Sequence, residues 1–236
     1  MIRALIVDDE QLARAELQAL LEATGEFELL ASCANGFDAI KAINEHQPDV
    51  LFLDVEMPVI NGFQLLSMVD AERMPQVVFV TAYDEFALKA FEEKTLDYLL
   101  KPVEAERLAL TLTKLKHTLQ RGQVPSYTTP ELQRIPCCQG RRVKLVDIEQ
   151  VESVFTDISG VHLRTAEAQL CTDLTLKVLE QRTPLLRCHK QYLINLAFVD
   201  EIQLLEGGTA SILTRSGHTV PVSRRYLRQL KERLSF

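Results

Sequence analysis

The stretch DVLFLDVEMP, residues 49–58, drives four apolar residues, Val50 to Leu53, straight into the carboxylate of Asp54 and closes on Pro58. A short apolar run bounded by charges reads as a strand buried on both faces. A carboxylate delivered to the end of such a strand is costly to desolvate, so it needs a task. Four more runs share this grammar: ALIV (4–7), ELLASC (28–33), QVVFV (76–80) and DYLL (97–100). Amphipathic stretches separate them, for instance Leu12, Leu17, Leu20 and Leu21, which recur at helical spacing. Strand and helix alternating five times predicts an α/β doubly wound, five-stranded parallel sheet. Reactive groups in such sheets gather beyond the carboxyl ends of the strands.

Four of the five strand ends, the first, third, fourth and fifth, carry Asp8 and Asp9, Asp54, Thr81 and Lys101. Three carboxylates drawn to one edge repel, and a hard divalent cation with oxygen ligands, Mg²⁺, relieves that repulsion. A carboxylate beside Mg²⁺ can attack a phosphoryl group and form an aspartyl phosphate. Singly, each residue has an ordinary use: Asp8, Asp9 and Thr81 as helix caps, Lys101 as a solvated charge. Their coincidence on successive strands points to one site.

At 236 residues, with 47% hydrophobic and 25% charged residues, the composition is that of a globular protein with room for two domains. MIRALIVDDE at the start lacks a secretory pattern, and no apolar run approaches the roughly 20 residues of a membrane span. Direct membrane insertion is therefore not expected. Five cysteines without a C-x-x-C pair read as reduced thiols, hence a cytoplasmic location, and Cys188–His189 lacks zinc-ligand spacing. The net charge of −7 divides unevenly, residues 1–121 carrying −10 and residues 122–236 carrying +3. Such a split suggests two domains with different partners. Gly122, Pro125 and Pro130 punctuate a segment without apolar periodicity, so the linker is placed at 121–132, between domains at 1–120 and 133–236.

After the linker, turn signals at 159–160, 207–208 and 216–217 separate the runs VESVF (151–155), VHLRT (161–165), SILT (211–214) and TVPV (219–222). Helices are predicted from Asp173 through Gln181 and from about Arg224 to Leu234. The half is mainly β, which argues against a helix-turn-helix. Its cations cluster in LLRCHKQYLINL (185–196), with Arg187, His189 and Lys190, and in VPVSRRYLRQLKE, with Arg224 and Arg225. Cations on a rigid β framework can reach phosphates and base edges, whereas Arg228, Lys231 and Arg233 look like a solvated helix face. Tyr192 and Asn195 suit local packing and hydrogen bonding. No G-x-S-x-G or H-E-x-x-H motif follows the linker, so no enzymatic output is expected. An RNA- or protein-binding β module is the alternative. An RNA-reading sheet would show paired aromatics, and Phe155, Tyr192, Phe198 and Tyr226 read as scattered.

Taken together, IVDDE, FLDVEMP, NGF, VTAYDE and DYLLKP, in that order, resemble a response-regulator receiver domain, a flavodoxin-like fold. The resemblance implies Asp54 as phosphoacceptor and Asp9 as direct Mg²⁺ ligand. Asp8 would act through the metal's waters and Glu56 through its backbone carbonyl. Thr81 and Lys101 would contact the phosphoryl group, across a cis Lys101–Pro102 bond. Tyr98 would be a switch aromatic, altering the face made by the fifth strand and the helical stretch before it. Phosphoryl groups would come from a sensor histidine kinase, membrane-bound and of the LytS type, and phosphorylation would promote a homodimer.

From about residue 131, VDIEQVESVFTDISGVHLRT, RCHKQYLINL and ASILTRSGHTVPVSRRYL resemble the LytTR DNA-binding domain of LytR/AlgR-type response regulators. The domain pairing is similar to that of BtsR-type transcriptional regulators. The resemblance implies promoter DNA as partner, with His189 and Lys190 in one reading segment and Arg225 in a second. Arg224 would touch phosphate, and the turn around Asp157 and Ser159 matches a third segment.

Overall fold

In the computed structural model, residues 1–83, 95–122, 125, 131–139 and 142–234 are described. The chain divides into two compact units, Met1–Thr129 and Pro130–Phe236. Most of the linker predicted at 121–132 lies outside the described residues, as do residues 84–94, where the helix expected before the fifth strand falls.

The first unit is built on strands β1 (Ile2–Val7), β2 (Phe27–Cys33), β3 (Val50–Leu53), β4 (Gln76–Thr81) and β5 (Asp97–Leu100). They pair in parallel in the order β2-β1-β3-β4-β5. Every residue of β3 and β4 is buried, which explains why these strands read as unbroken apolar runs. One face of the sheet, with Ala4, Ile6, Phe52 and Val78, packs against Leu17 and Leu21 of helix Gln11–Ala23 and Leu108 and Leu115 of helix Ala105–Gln120. The helix Gly62–Ser67 covers the other face, where Phe63 lies against Phe79 with ring centroids 4.8 Å apart.

Helix starts in this unit follow from local chemistry. The Asn61 side chain accepts from the Gln64 N–H while the Gln64 side chain accepts from the Asn61 N–H, a reciprocal cap. Asn35 caps the helix Gly36–His46 by accepting from Phe37 and Asp38.

Antiparallel pairing builds the second unit. Strands β6 (Arg134–Gln139), β7 (Arg142–Asp147), β8 (Val151–Asp157), β9 (Gly160–Thr165), β10 (Gln169–Thr172), β11 (Leu186–His189) and β12 (Tyr192–Ile194) form a sheet in the order β11-β12-β8-β9-β10-β6-β7. Strands β13 (Val199–Leu205), β14 (Thr209–Thr214) and β15 (Thr219–Val222) make a three-stranded sheet. Leu230 of the helix Arg224–Leu234 is fully buried among Cys188, Ile194, Ile212 and Val220, so the helix joins the two sheets around one core.

The helix predicted from Asp173 begins instead at Leu176 and runs to Arg182. The Thr175 hydroxyl accepts from the Val178 N–H and sets that start, while the Asp173 carboxylate accepts from the Cys138 thiol. The aromatics are also less scattered than they read. Phe155 and Tyr192 are cross-strand partners with rings 5.7 Å apart, and Phe155 stacks on His162 as well. Arg164 covers the Phe155 ring at 4.4 Å, and the ring is buried, so this stack is sheet packing.

Candidate functional site: an acidic pocket and a cationic edge

The parallel sheet delivers Asp8 and Asp9 after β1, Asp54 after β3, Thr81 at the end of β4 and Lys101 after β5. The Asp54 N–H donates to the Val7 carbonyl at 2.8 Å, and the Lys101 N–H donates to the Thr81 carbonyl at 2.9 Å. These bonds continue the sheet ladder past the strand ends and bring the groups to one edge. Asp8, Asp9 and Asp54 each offer a carboxylate oxygen, and the three oxygens lie within 4.8 Å of one another. Asp8 and Asp54 are 3% and 5% exposed, while Asp9 is open to solvent.

Lys101 answers the buried charge. Its ammonium lies 2.7 Å from Asp8 Oδ2 and 2.8 Å from Asp54 Oδ2, with Glu10 Oε2 farther off at 3.5 Å. Burial pushes the Asp8 carboxyl above its ordinary value, against the opposing hydrogen bonds from Lys101 and the Glu10 N–H. Burial also works against the Lys101 ammonium, but hydrogen bonds to Asp54 and Asp8 together with their charges raise it above its ordinary value. One ammonium facing two buried carboxylates leaves negative charge in excess. An oxygen set of this kind fits a hard divalent cation such as Mg²⁺.

Backbone geometry holds Asp54 in place. The Glu56 N–H donates to Asp54 Oδ1 at 3.3 Å, which places Glu56 beside the pocket. A Cβ at Gly62 would meet the Asp54 carbonyl oxygen at 2.6 Å, so only glycine lets this helix start so close. Sequence reading missed Gly62 as more than part of a motif; its role appears only once the two segments are seen in contact. The Lys101–Pro102 bond is cis. The Thr81 hydroxyl is fully buried and has no hydrogen-bond partner among the described residues. Such a group is costly to leave idle, and it marks a place where an acceptor fits. Tyr98 is half-buried, and its hydroxyl donates to the Tyr83 carbonyl.

In the second unit the sequence-predicted cations converge on one edge. His189 ends β11, and exposed Lys190 opens the turn to β12. His189 Nδ1 accepts from the Gln191 N–H at 3.2 Å, so the proton of the neutral ring sits on Nε2. Burial, and secondarily Lys190, lower the His189 pKa and favour that neutral form. Arg224 and Arg225, both exposed, open the helix Arg224–Leu234. The Ser223 N–H donates to the Cys188 carbonyl at 3.0 Å and ties this helix start to the strand carrying His189. The end of β8 joins them, since the Thr156 N–H donates to the Gln191 carbonyl at 3.0 Å.

Asp157, the last residue of β8, accepts from the Ser159 N–H and hydroxyl at 2.8 and 2.6 Å, and its carboxyl is thereby held below the usual carboxylate range. The same oxygen, Oδ1, lies 3.1 Å from His162 Nε2. Asn195 packs as its sequence suggested, capping the turn Leu196–Phe198 and donating to the Val151 carbonyl at 2.9 Å. Cys188 is fully buried and its thiol is pushed up to about 12 by burial, which disfavours the reactive thiolate. Among the described residues no helix is long and apolar enough to cross a membrane.

Comparison with known proteins fits this division. A response regulator receiver domain family matches residues 4–113, and a LytTr DNA-binding domain family matches residues 141–235. An uncharacterised response regulatory protein of Vibrio cholerae is 51% identical over 236 residues, covering all of both chains. The transcriptional regulatory protein BtsR of Escherichia coli is 46% identical over 237 residues, covering 98% of each. The response regulatory domain of MrkE from Klebsiella pneumoniae is 33% identical, with a TM-score of 0.46, covering 51% of this chain and 99% of that one. The chain belongs to the response regulators, joining a receiver domain to a LytTr DNA-binding domain.

Proposed function

We propose that the chain is a cytoplasmic transcription regulator controlled by phosphorylation of Asp54. A sensor histidine kinase, membrane-bound and of the LytS type, supplies the phosphoryl group. Phosphorylation then favours a homodimer that sets two LytTr units on neighbouring half-sites of promoter DNA. The gain in binding comes chiefly from effective concentration. The observation that carries the reading is the convergence of Asp8, Asp9 and Asp54, two of them held by Lys101, at the sheet edge where the Thr81 hydroxyl has no hydrogen-bond partner among the described residues.

In this reading Asp54 is the nucleophile, attacking phosphorus as the bond to the kinase's histidine nitrogen breaks. Asp9, Asp54 and the Glu56 carbonyl would hold Mg²⁺, with Asp8 acting through its waters, and the ion would supply positive charge against the phosphoryl oxygens. Lys101 supplies a fixed positive charge to the same oxygens and gives up part of its hold on Asp54. Thr81 donates its free hydroxyl to a phosphoryl oxygen. Moving Thr81 opens room for Tyr98 to turn inward and reshapes the surface beside β5. On the DNA, His189 offers its Nε2–H to a base-edge acceptor, Lys190 and Arg225 read the groove, and Arg224 holds phosphate.

The direct test exposes the full chain to acetyl phosphate with Mg²⁺ and follows both the mass increase and the affinity for duplexes retained from genomic DNA. Wild type gains one phosphoryl group and binds those duplexes more tightly, and Asp54→Asn does neither. Continued labelling of the variant would place the nucleophile elsewhere.

A further inference from the structure

Sequence groups Arg187 with His189 and Lys190 as one run of cations, yet its guanidinium is bound within the fold. Arg187 stands at a break in the pairing of β11 with β12, between Arg187 and His189. Its side chain is only 13% exposed, and its Nε donates to Glu180 Oε2 at 2.9 Å. Its Nη1 donates to the Lys190 carbonyl at 3.2 Å. One guanidinium thus links the helix Leu176–Arg182 to the backbone of the turn that carries Lys190.

That turn is held at three points. Its Gln191 N–H is taken by His189 Nδ1, its Gln191 carbonyl by the Thr156 N–H, and its Lys190 carbonyl by Arg187. We propose that Arg187, aligned by Glu180, is a positioning residue that fixes the His189–Lys190 turn for DNA recognition and does not itself touch DNA. This rests on the reading of the second unit as the DNA-binding one.

The chemistry favours arginine for this work. A rigid planar fork serves two acceptors that lie in different directions, which a lysine ammonium on a flexible stem does not do with fixed geometry. Glu180 fixes the fork, so the turn is ordered before DNA arrives and less entropy is lost on binding. Electrostatics alone makes the opposite forecast for Glu180. Removing an acid near a polyanion strengthens binding to any duplex, whereas removing an alignment group weakens binding only where the turn must fit.

The test uses the full chain and two probes: a duplex retained by wild type from genomic DNA, and a shuffled duplex of the same length and composition. Affinities are measured across a salt series. Arg187→Ala and Glu180→Ala are each expected to weaken binding to the retained duplex about 3- to 10-fold. Binding to the shuffled duplex and the slope of log affinity against log salt stay as in wild type. Arg187→Lys keeps the charge and loses specific affinity too. Equal weakening on both duplexes, with a salt slope reduced by about one, would make Arg187 a phosphate contact and overturn the proposal. Tighter binding by Glu180→Ala would overturn it as well. If wild type retains no duplex at all, the DNA reading fails first and takes this inference with it, a result distinct from either of those.

Discussion

Asp8 and Asp54 are almost wholly buried and share one ammonium, whereas Lys190, Arg224 and Arg225 stand open to solvent on the LytTr unit. The first arrangement couples its members. Removing any one changes the field felt by the others, because a buried charge without its partner carries a large desolvation cost. The second arrangement is held by backbone hydrogen bonds beneath side chains that reach outward singly, so each cation should act nearly alone. Damage to the acidic pocket should be close to all-or-none, and damage to the cationic edge should be graded.

The sharpest break of that contrast after Asp54→Asn is Gly62→Ala. Its new Cβ would fall 2.6 Å from the Asp54 carbonyl oxygen, 3.0 Å from the Phe79 ring and 3.2 Å from Leu53 Cγ. We expect a loss of about 2–3 kcal/mol in urea unfolding, together with slowed acceptance of phosphoryl from acetyl phosphate. Unchanged phosphorylation would show that the pocket tolerates displacement of its nucleophile. On the cationic edge, Arg225→Ala should weaken binding to a retained duplex by roughly 1–3 kcal/mol and relax the choice of base at one position. Arg224→Ala should weaken all duplexes alike and reduce the salt slope by about one. A competition assay over a base-substituted series separates the two patterns, and identical behaviour of both variants would erase the distinction drawn between them.

The smallest effect concerns another buried carboxylate in the receiver unit, away from the acidic pocket. Asp97 accepts from Arg107, Thr111 and Lys114, which hold its carboxyl well below the usual range although burial alone would raise it. A depressed folded-state pKa contributes stability above the unfolded value near 3.9, and that contribution is lost as pH falls through and below it. Asp97→Asn should therefore cost about 1–2 kcal/mol near neutral pH. The figure is discounted because the Arg107 and Lys114 side chains are 36% and 53% exposed. The variant should also lose less stability than wild type between about pH 5 and pH 3. Parallel urea-unfolding curves for the two proteins across that interval would refute the assignment.

The sheet of the receiver unit was legible because burial on both faces leaves β3 wholly apolar and β4 apolar from Val77 to Val80. The groups after those strands, Asp54 and Thr81, then stand out against the apolar background. The LytTr unit was harder. Strand β13 is largely exposed along its length, so neither alternation nor an apolar run marks it. Asp173 looked like a helix opener because aspartate often is one, yet Thr175 took that place. Glu152, within VESVF, is buried at 1% exposure and accepts from Thr214, Ser216 and His218. Those partners lie more than sixty residues away, and no local pattern announces them. Arg187 is the same lesson in reverse: a cation among cations by sequence, a brace by geometry.

The bond from the Ser223 N–H to the Cys188 carbonyl makes two recognition segments parts of one rigid ruler. Under the proposed reading, the interval between the letters touched by His189 and those touched by Arg225 is set by the protein and cannot drift from promoter to promoter. Operators for this regulator should then vary in spelling, and in the gap between half-sites, while the interval inside each half-site stays constant.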